Sequence, residues 1–123
     1  MKDKEWNKQK KRVKKYLDKW IKLLLLDRYK FNIHYMTGSS DKQVGSFIGL
    51  ALTDTVWAYQ EATLKFWLEA FEELTDTEVE RTIVHELCHV LNAPVQGEVD
   101  DVDKLEFATE TMTRSILNVY RSK

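Results

Sequence analysis

The sequence has few of the features that mark disulfide-rich, repetitive or membrane-spanning proteins. Its 123 residues include one cysteine, Cys88, one proline and four glycines. One cysteine excludes an internal disulfide framework and suits a reducing compartment. No apolar run approaches the roughly 20 residues of a membrane-spanning helix, and no apolar core with a small-residue cleavage site follows the basic N-terminus. We therefore expect no signal peptide, no membrane partner and a cytoplasmic location.

The composition is that of a globular protein with a substantial core. Hydrophobic residues make up 43% of the chain and charged residues 32%, which is the balance of soluble globular domains. Four Trp, five Tyr and five Phe supply side chains that each bury a large area. The length corresponds to one domain, and we predict a single domain over residues 1–123.

Charge is distributed unevenly along the chain. Residues 1–22 contain ten Lys or Arg and three acidic residues, whereas residues 23–123 contain nine basic and 17 acidic residues. A basic N-terminal helix can attract nucleic acid, but no recognition motif accompanies this charge. We interpret it as a solvated helix face that offsets an acidic body, and we expect no nucleic-acid partner.

Hydrophobic periodicity predicts an α+β fold. Apolar residues at helical spacing, including Leu17 and Trp20, predict a core-packed helix over residues 4–26. Alternating apolar and polar residues predict a small three-stranded sheet, with a turn at Asp54 and Thr55 after the second strand. The strands are expected at residues 29–36, 46–54 and 59–68.

Two further helices are predicted after the strands. Thr75 and Glu78 form a capping-box pattern, so a helix should begin there, run to about Asn92 and end at Pro94. An acidic, glycine-containing loop follows, and then the last helix. That helix is expected over residues 103–121, with a buried stripe of Leu105, Ala108, Met112, Ile116 and Val119.

The stretch His85-Glu86-Leu87-Cys88-His89 is the H-E-x-x-H pattern. Residues four apart lie on one helix face, so His85 and His89 can bind one metal ion. Glu86 lies beside them, placed to take a proton from a metal-bound water. The remaining histidine, His34, falls on the polar side of the first strand, so we expect it to be exposed and not a ligand. Cys88 is expected to be buried as a small apolar residue rather than to bind metal.

A third metal ligand must come from the acidic residues after the motif, because catalytic zinc usually has three protein ligands. The candidates are Glu98, Asp100, Asp101, Asp103, Glu106 and Glu110. Helical projection places Glu106 about 100° and Glu110 about 140° from the centre of the predicted stripe, which favours Glu106. Two alternatives stay open: a loop acid as ligand, or Glu106 as the capping-box partner of Asp103.

H-E-x-x-H followed by a helix with two acids four residues apart resembles the gluzincin class of zinc metallopeptidases. The order of elements resembles the compact minigluzincins, and the stretch Thr82–Pro94 resembles phage and prophage proteins of similar size. The resemblance implies a zincin-like fold and these roles: Zn²⁺ ligands His85, His89 and Glu106, general base Glu86, and Glu110 as the acid that orients a ligand histidine. The larger gluzincins have asparagine before the ligand glutamate, where this chain has Leu105.

The predicted function is zinc-dependent hydrolysis of a peptide bond by a metal-activated water, with Glu86 as general base. The chain would then be a metalloendopeptidase whose partner is a peptide or protein substrate. We expect the third strand to lie at an edge of the sheet, where an extended peptide can pair with it. The reaction also needs an oxyanion donor, for which Tyr59 and Tyr120 are candidates.

Two alternatives belong to other classes of protein. A phage-encoded binding or regulatory protein can keep zinc on a zincin fold as a structural element without turnover. The small size, which leaves little room for a deep cleft, favours this alternative. An immunity-repressor-type protease also carries H-E-x-x-H, but usually beside a DNA-binding module that this sequence does not contain. No pattern in the sequence sets an oligomeric state.

Overall fold

The structure, a computed structural model, describes residues 2–38, 50–96 and 102–122. Within these ranges it contains three long helices and a three-stranded sheet, in the predicted order. The helices are α1 (Asp3–Leu23), α2 (Asp76–Gln96) and α3 (Val102–Arg121), and the strands are β1 (Lys30–Met36), β2 (Ala51–Val56) and β3 (Glu61–Trp67). The predicted α+β fold class is confirmed.

The sheet has the strand order β1-β3-β2, so β3 is its central strand. β3 pairs in parallel with β1 and antiparallel with β2, and Leu64 lies between Ile33 and Thr53 in the register. The expectation that the third strand forms an edge is therefore wrong. Alternation shows which face of a strand is buried, but it carries no information on how many neighbours the strand has. Among the described residues, β1 and β2 are each paired on one side only, and β2 is the edge strand that contacts α2.

The second strand lies later in the chain than predicted. Asp54 and Thr55, which the sequence suggests as a turn, pair with Thr63 and Ala62 of β3. The reversal instead falls in the short 3-10 helix Trp57–Tyr59. The first part of the predicted strand, residues 46–49, lies outside the described residues.

Helix α1 ends earlier than predicted because its C-terminus is closed by a Schellman motif. The amide of Leu26 donates to the carbonyl of Ile21 at 2.8 Å, and the amide of Leu25 donates to that of Lys22 at 3.1 Å. Leu25 takes the left-handed position, with φ 59°, where glycine is usual. The chain then turns back and buries Leu26, which stabilises the strained residue before it. The apolar pattern runs on past the helix end, so the sequence could not show where the helix stops.

Helix α2 lies at the centre of the molecule and contacts α1, α3 and β2. Every residue from Val79 to Val90 is buried except Arg81 and His89, which are half-buried. The inward face of α1 packs on this helix through Val13, Leu17 and Trp20. The prediction that α1 belongs to the core is confirmed.

The start of α2 is fixed by the predicted capping box, but its end is not where the sequence places it. The Glu78 amide donates to the Thr75 hydroxyl at 3.2 Å, and the Thr75 amide donates to the Glu78 carboxylate at 3.0 Å. The bonds that the Thr75 amide and hydroxyl donate to the Glu78 carboxylate hold the pKa of Glu78 below its usual value. Pro94 lies inside the last turn rather than beyond it. A proline ring has helical φ and costs the hydrogen bond to the carbonyl four residues earlier, so the turn it belongs to can still form.

Helix α3 buries a face that only partly overlaps the stripe predicted from the sequence. Its buried residues are Thr109, Thr113 and Leu117, whereas Ala108 is exposed and Val119 is 62% exposed. Met112 and Ile116 of the predicted stripe are half-buried and pack against the core, so the buried face overlaps that stripe and extends beyond it to the threonines. The threonines can be buried because their hydroxyls donate to the carbonyls four residues earlier at 2.9 and 2.8 Å. The same extended face includes the acids of α3 that lie against the motif.

Candidate metal centre

The buried middle of α2 presents the H-E-x-x-H residues together. His85 and Glu86 are almost fully buried and His89 is half-buried. One ligand-capable atom from each of the three lies within 4.8 Å of the others. This spacing follows from the helix, which places residues 85 and 89 one turn apart on one face. The cluster has the spacing needed to hold a metal ion.

The carboxylate of Glu106 on α3 lies between the two histidines. Its Oε2 is 3.1 Å from His85 Nε2, and its Oε1 is 2.8 Å from His89 Nε2. Both imidazoles therefore direct the same ring nitrogen toward one carboxylate. Such an arrangement is compatible with a ligand set, and Glu106 is half-buried on the side of α3 that faces the motif.

Glu110, one turn further along α3, contacts the opposite side of the His85 ring. Its Oε2 lies 2.9 Å from His85 Nδ1, while its Oε1 accepts a hydrogen bond from Arg81 and lies 3.4 Å from Arg114 Nε. Burial alone would raise the pKa of Glu110, but Arg81 and His85 outweigh it and lower that pKa. An ionised carboxylate beside Nδ1 favours the His85 tautomer that carries its proton on Nδ1, with the lone pair on Nε2, the nitrogen that faces Glu106.

Glu86 is hydrogen-bonded to the sheet. It is 2% exposed, and its Oε1 accepts a 2.7 Å hydrogen bond from the Thr53 hydroxyl on β2. Burial raises the pKa of Glu86 to about 7; the Thr53 bond opposes this shift and the charge of Glu106 adds to it. A carboxyl with such a pKa can exchange a proton near neutral pH.

The residues brought together match the donor set that zinc prefers. Two imidazoles and one carboxylate are a known zinc ligand combination. Burial lowers the pKa of His89, with the Glu106 charge opposing and the His85 charge assisting, so His89 favours the neutral form that binds metal. The site is also reached by solvent, since His89 and Glu106 keep 19% and 17% of their side-chain area exposed.

The other candidates from the sequence lie away from this centre or outside the described residues. His34 is exposed on β1, as predicted. Asp103 is exposed at the start of α3, and residues 97–101, with Glu98, Asp100 and Asp101, lie outside the described residues. Cys88 is fully buried, and burial raises the pKa of its thiol to about 11, in agreement with the expected apolar role.

The two tyrosines proposed as oxyanion donors are placed differently. Tyr120 stacks edge-on against Trp20, with ring centroids 4.9 Å apart. It lies 14 residues from Glu106 on one helix, a separation of about 21 Å, so Tyr120 cannot serve the site. Tyr59 is 82% exposed in the turn after β2, and its role stays a prediction.

Two residues that shape the site were not identified from the sequence. Arg81 precedes His85 by four residues, so helical spacing alone places the two side chains on the same helix face. Thr53 belongs to a strand more than 30 residues away from Glu86, and no local pattern marks it. Only the pairing of β2 with the sheet and its packing against α2 bring this hydroxyl to Glu86.

Comparison with known protein families agrees with this geometry. The family model for zincin-like metallopeptidases matches residues 33–108, more than half of the chain. The chain therefore belongs to the zincin-like metallopeptidase family. The search of curated proteins and the search of solved structures each found no significant match. No described helix is long and apolar enough to cross a membrane.

Proposed function

We propose that this protein is a zinc-dependent endopeptidase of the gluzincin type. One observation carries the proposal: Nε2 of His85 and Nε2 of His89 both face the carboxylate of Glu106, while Glu86 lies beside them. Family membership supports zinc-dependent peptidase activity in general. The ligand roles of His85, His89 and Glu106, and the orienting role of Glu110, are part of the proposal.

Each residue then has a defined task in hydrolysis. Zinc, when bound, lowers the pKa of a coordinated water toward ~7 and polarises the scissile carbonyl. Glu86 accepts the proton of the attacking water and delivers it to the leaving amine. Thr53 holds the Glu86 carboxylate through its 2.7 Å bond, which fixes the base between β2 and the motif. Glu110 holds the ring plane of His85.

The substrate is proposed to be an extended peptide that pairs with β2. This strand has one unpaired edge among the described residues, and Thr53 in its middle touches the general base. Main-chain hydrogen bonds to such an edge align a peptide without requiring a particular sequence. Val56 and Trp57, about half exposed at the end of β2, add apolar surface that favours apolar side chains of the substrate.

The test combines zinc analysis with digestion of a mixed peptide library. The zinc-loaded protein should cleave peptides, and Glu86→Gln should keep one zinc and the fold but lose cleavage, because only proton transfer is removed. Glu73→Gln, at an exposed glutamate, is the matched control and should cleave normally. Loss of zinc from Glu86→Gln would mean that Glu86 is a ligand, and the mechanism would be wrong.

A second candidate function is a zinc-stabilised binding or regulatory protein without turnover, as the sequence also allowed. The observation in its favour is the burial of Glu86, which is 2% exposed and therefore offers a substrate little direct access. The same experiment separates the two. Zinc binding and zinc-dependent thermal stability without cleavage of any library peptide would select this candidate over the endopeptidase.

We also propose that residues 1–123 form one domain, that a phage or prophage encodes it, and that it acts in the cytoplasm of a prokaryotic cell. The single buried thiol, Cys88, suits a reducing compartment. The phage origin is supported by the resemblance of Thr82–Pro94 to small phage proteins.

A further inference from the structure

Arg81 occupies a position behind the metal centre that neither the motif nor the family match assigns. It lies one turn before His85 on α2, and its guanidinium donates to Oε1 of Glu110. The other oxygen of the same carboxylate is 2.9 Å from His85 Nδ1. Arg81, Glu110 and His85 thus form a continuous chain of contacts, with the metal-facing Nε2 at its end.

The two oxygens of Glu110 have separate partners, so the bond from Arg81 to one oxygen affects the direction of the other, which contacts His85. A carboxylate on a helix can rotate about its side-chain bonds, and only a partner on the second oxygen fixes the direction of the first. Charge-assisted bonds to arginine are among the strongest hydrogen bonds for this purpose. Glu110 is 15% exposed and Arg81 is 41% exposed, so the acid is shielded while the arginine closes it off from solvent. Arg114, 74% exposed and 3.4 Å from the same oxygen, is the weaker partner.

We propose that Arg81 is a positioning residue of the metal centre, acting through Glu110 to hold the His85 ring in its metal-binding orientation. The inference rests on the proposed role of His85 as a ligand. It goes beyond that role by assigning part of the metal affinity to a residue that touches neither the metal nor the substrate.

The chain provides a closely matched control for this inference. Arg81, Arg114 and Arg121 line one groove of about 460 Å³ between α2 and α3. Arg121 is 42% exposed and pairs with Glu80 at 3.5 Å, away from the histidines. Removing Arg121 therefore deletes the same charge at the same exposure from the same groove, but without a contact to Glu110.

The test measures zinc affinity by competition with a chromophoric chelator for wild type, Arg81→Gln, Arg81→Lys and Arg121→Gln. Partners of ligand histidines change metal affinity by ~10–100-fold; Arg81 acts one residue further out, so Arg81→Gln should weaken zinc by about tenfold. Arg81→Lys should fall between it and wild type, because lysine keeps the charge but not the forked donors. Arg121→Gln should bind zinc as wild type does.

A double-mutant cycle shows whether Arg81 acts through Glu110. Once Glu110→Gln is present, adding Arg81→Gln should cost no further zinc affinity, since the two residues belong to one chain of contacts. The Co²⁺-substituted protein gives an independent readout, because the visible spectrum should change in Arg81→Gln and not in Arg121→Gln. Thermal melting in the presence of chelator identifies variants that fail to fold. If Arg81→Gln does not fold, Arg81→Lys is compared with wild type instead.

The outcomes separate this inference from the proposed function. If wild type binds no zinc, both are overturned. If wild type binds zinc but Arg81→Gln matches Arg121→Gln in affinity and cobalt spectrum, only the positioning role is overturned. An Arg81→Gln effect of full size in the Glu110→Gln background would show that Arg81 acts by another route and would equally overturn it.

Discussion

Glu106 and Glu110 lie one helical turn apart on α3 and contact different nitrogens of one histidine. Glu106 approaches Nε2 of His85 at 3.1 Å, and Glu110 approaches Nδ1 at 2.9 Å. Glu106 also reaches Nε2 of His89 at 2.8 Å, a contact that Glu110 does not share. At the residue scale, this difference in nitrogens supports the proposed roles, in which Glu106 binds the metal and Glu110 orients the His85 ring.

The first prediction follows from that assignment. Glu106→Ala should weaken zinc binding severely because it removes a ligand, whereas Glu110→Ala should weaken it by ~10–100-fold, the range for a residue that orients a ligand. Chelator competition on the two variants measures both values. Equal losses, or a larger loss for Glu110→Ala, would contradict the assignment and favour a different third ligand.

Which site residues the sequence could reveal depended on how local their geometry is. His85, Glu86 and His89 were identified because their arrangement follows from helix periodicity alone. The helical projection favours Glu106 over Glu110, but it is measured from a stripe that leaves out the buried Thr109 and Thr113, which hydrophobic periodicity does not detect. Thr53 could not be found, because its contact with Glu86 depends on sheet packing.

At the scale of elements, Glu80 joins the three helices. Its Oε2 accepts from Lys19 Nζ at 2.7 Å and from Trp20 Nε1 at 2.9 Å, both on α1, and its Oε1 lies 3.5 Å from Arg121 on α3. Burial would raise the pKa of Glu80, but these donors outweigh it and lower that pKa. The charged form is therefore favoured by folding.

The second prediction concerns the acid stability that this junction gives. A carboxyl whose pKa is lowered by folding stabilises the protein at pH values above its ordinary pKa of 4.5. That contribution is lost as the pH falls through the folded pKa. Glu80→Gln should therefore be less stable than wild type at pH 7, with a smaller decline below pH 4.5. Urea unfolding at a series of pH values measures this. Parallel pH profiles for wild type and Glu80→Gln would contradict it, and Glu72→Gln, at an exposed glutamate, is the control.

The order of elements was predictable from the sequence, but their boundaries and neighbours were less so. Capping chemistry at Thr75 fixed the start of α2 because it depends on two residues close in the chain. The central position of β3 and the left-handed Leu25 depend on tertiary burial. Such features arise from contacts between distant segments, which periodicity does not report.

At the scale of the whole molecule, α1 is a part of the core and packs against α2. Arg12 donates to the carbonyls of Phe71 and Leu74 at 3.0 and 2.6 Å and pairs with Asp76 at 3.0 Å. It thus anchors α1 to the segment that leads into α2. Trp20, also on α1, is fully buried in the core and donates to Glu80 of α2.

The third prediction is that α1 cannot be removed. Deletion of residues 1–26 should abolish cooperative unfolding, because it takes the Trp20 stripe away from α2. A point variant isolates the effect: Trp20→Ala should lower the unfolding free energy by about 3–5 kcal/mol, while Trp57→Ala, 51% exposed, should have a small effect. A deletion variant that still unfolds cooperatively would show that α1 is an appendage.

The most direct measurement of the central claim is a crystal structure of the zinc-loaded protein with anomalous data collected at the zinc edge. The account predicts one zinc peak per chain, about 2.0–2.2 Å from Nε2 of His85, Nε2 of His89 and a Glu106 oxygen, with Glu110 on His85 Nδ1 and outside bonding distance of the metal. A peak coordinated by Glu110 or by a loop aspartate such as Asp100, or no peak in the presence of excess zinc, would contradict it.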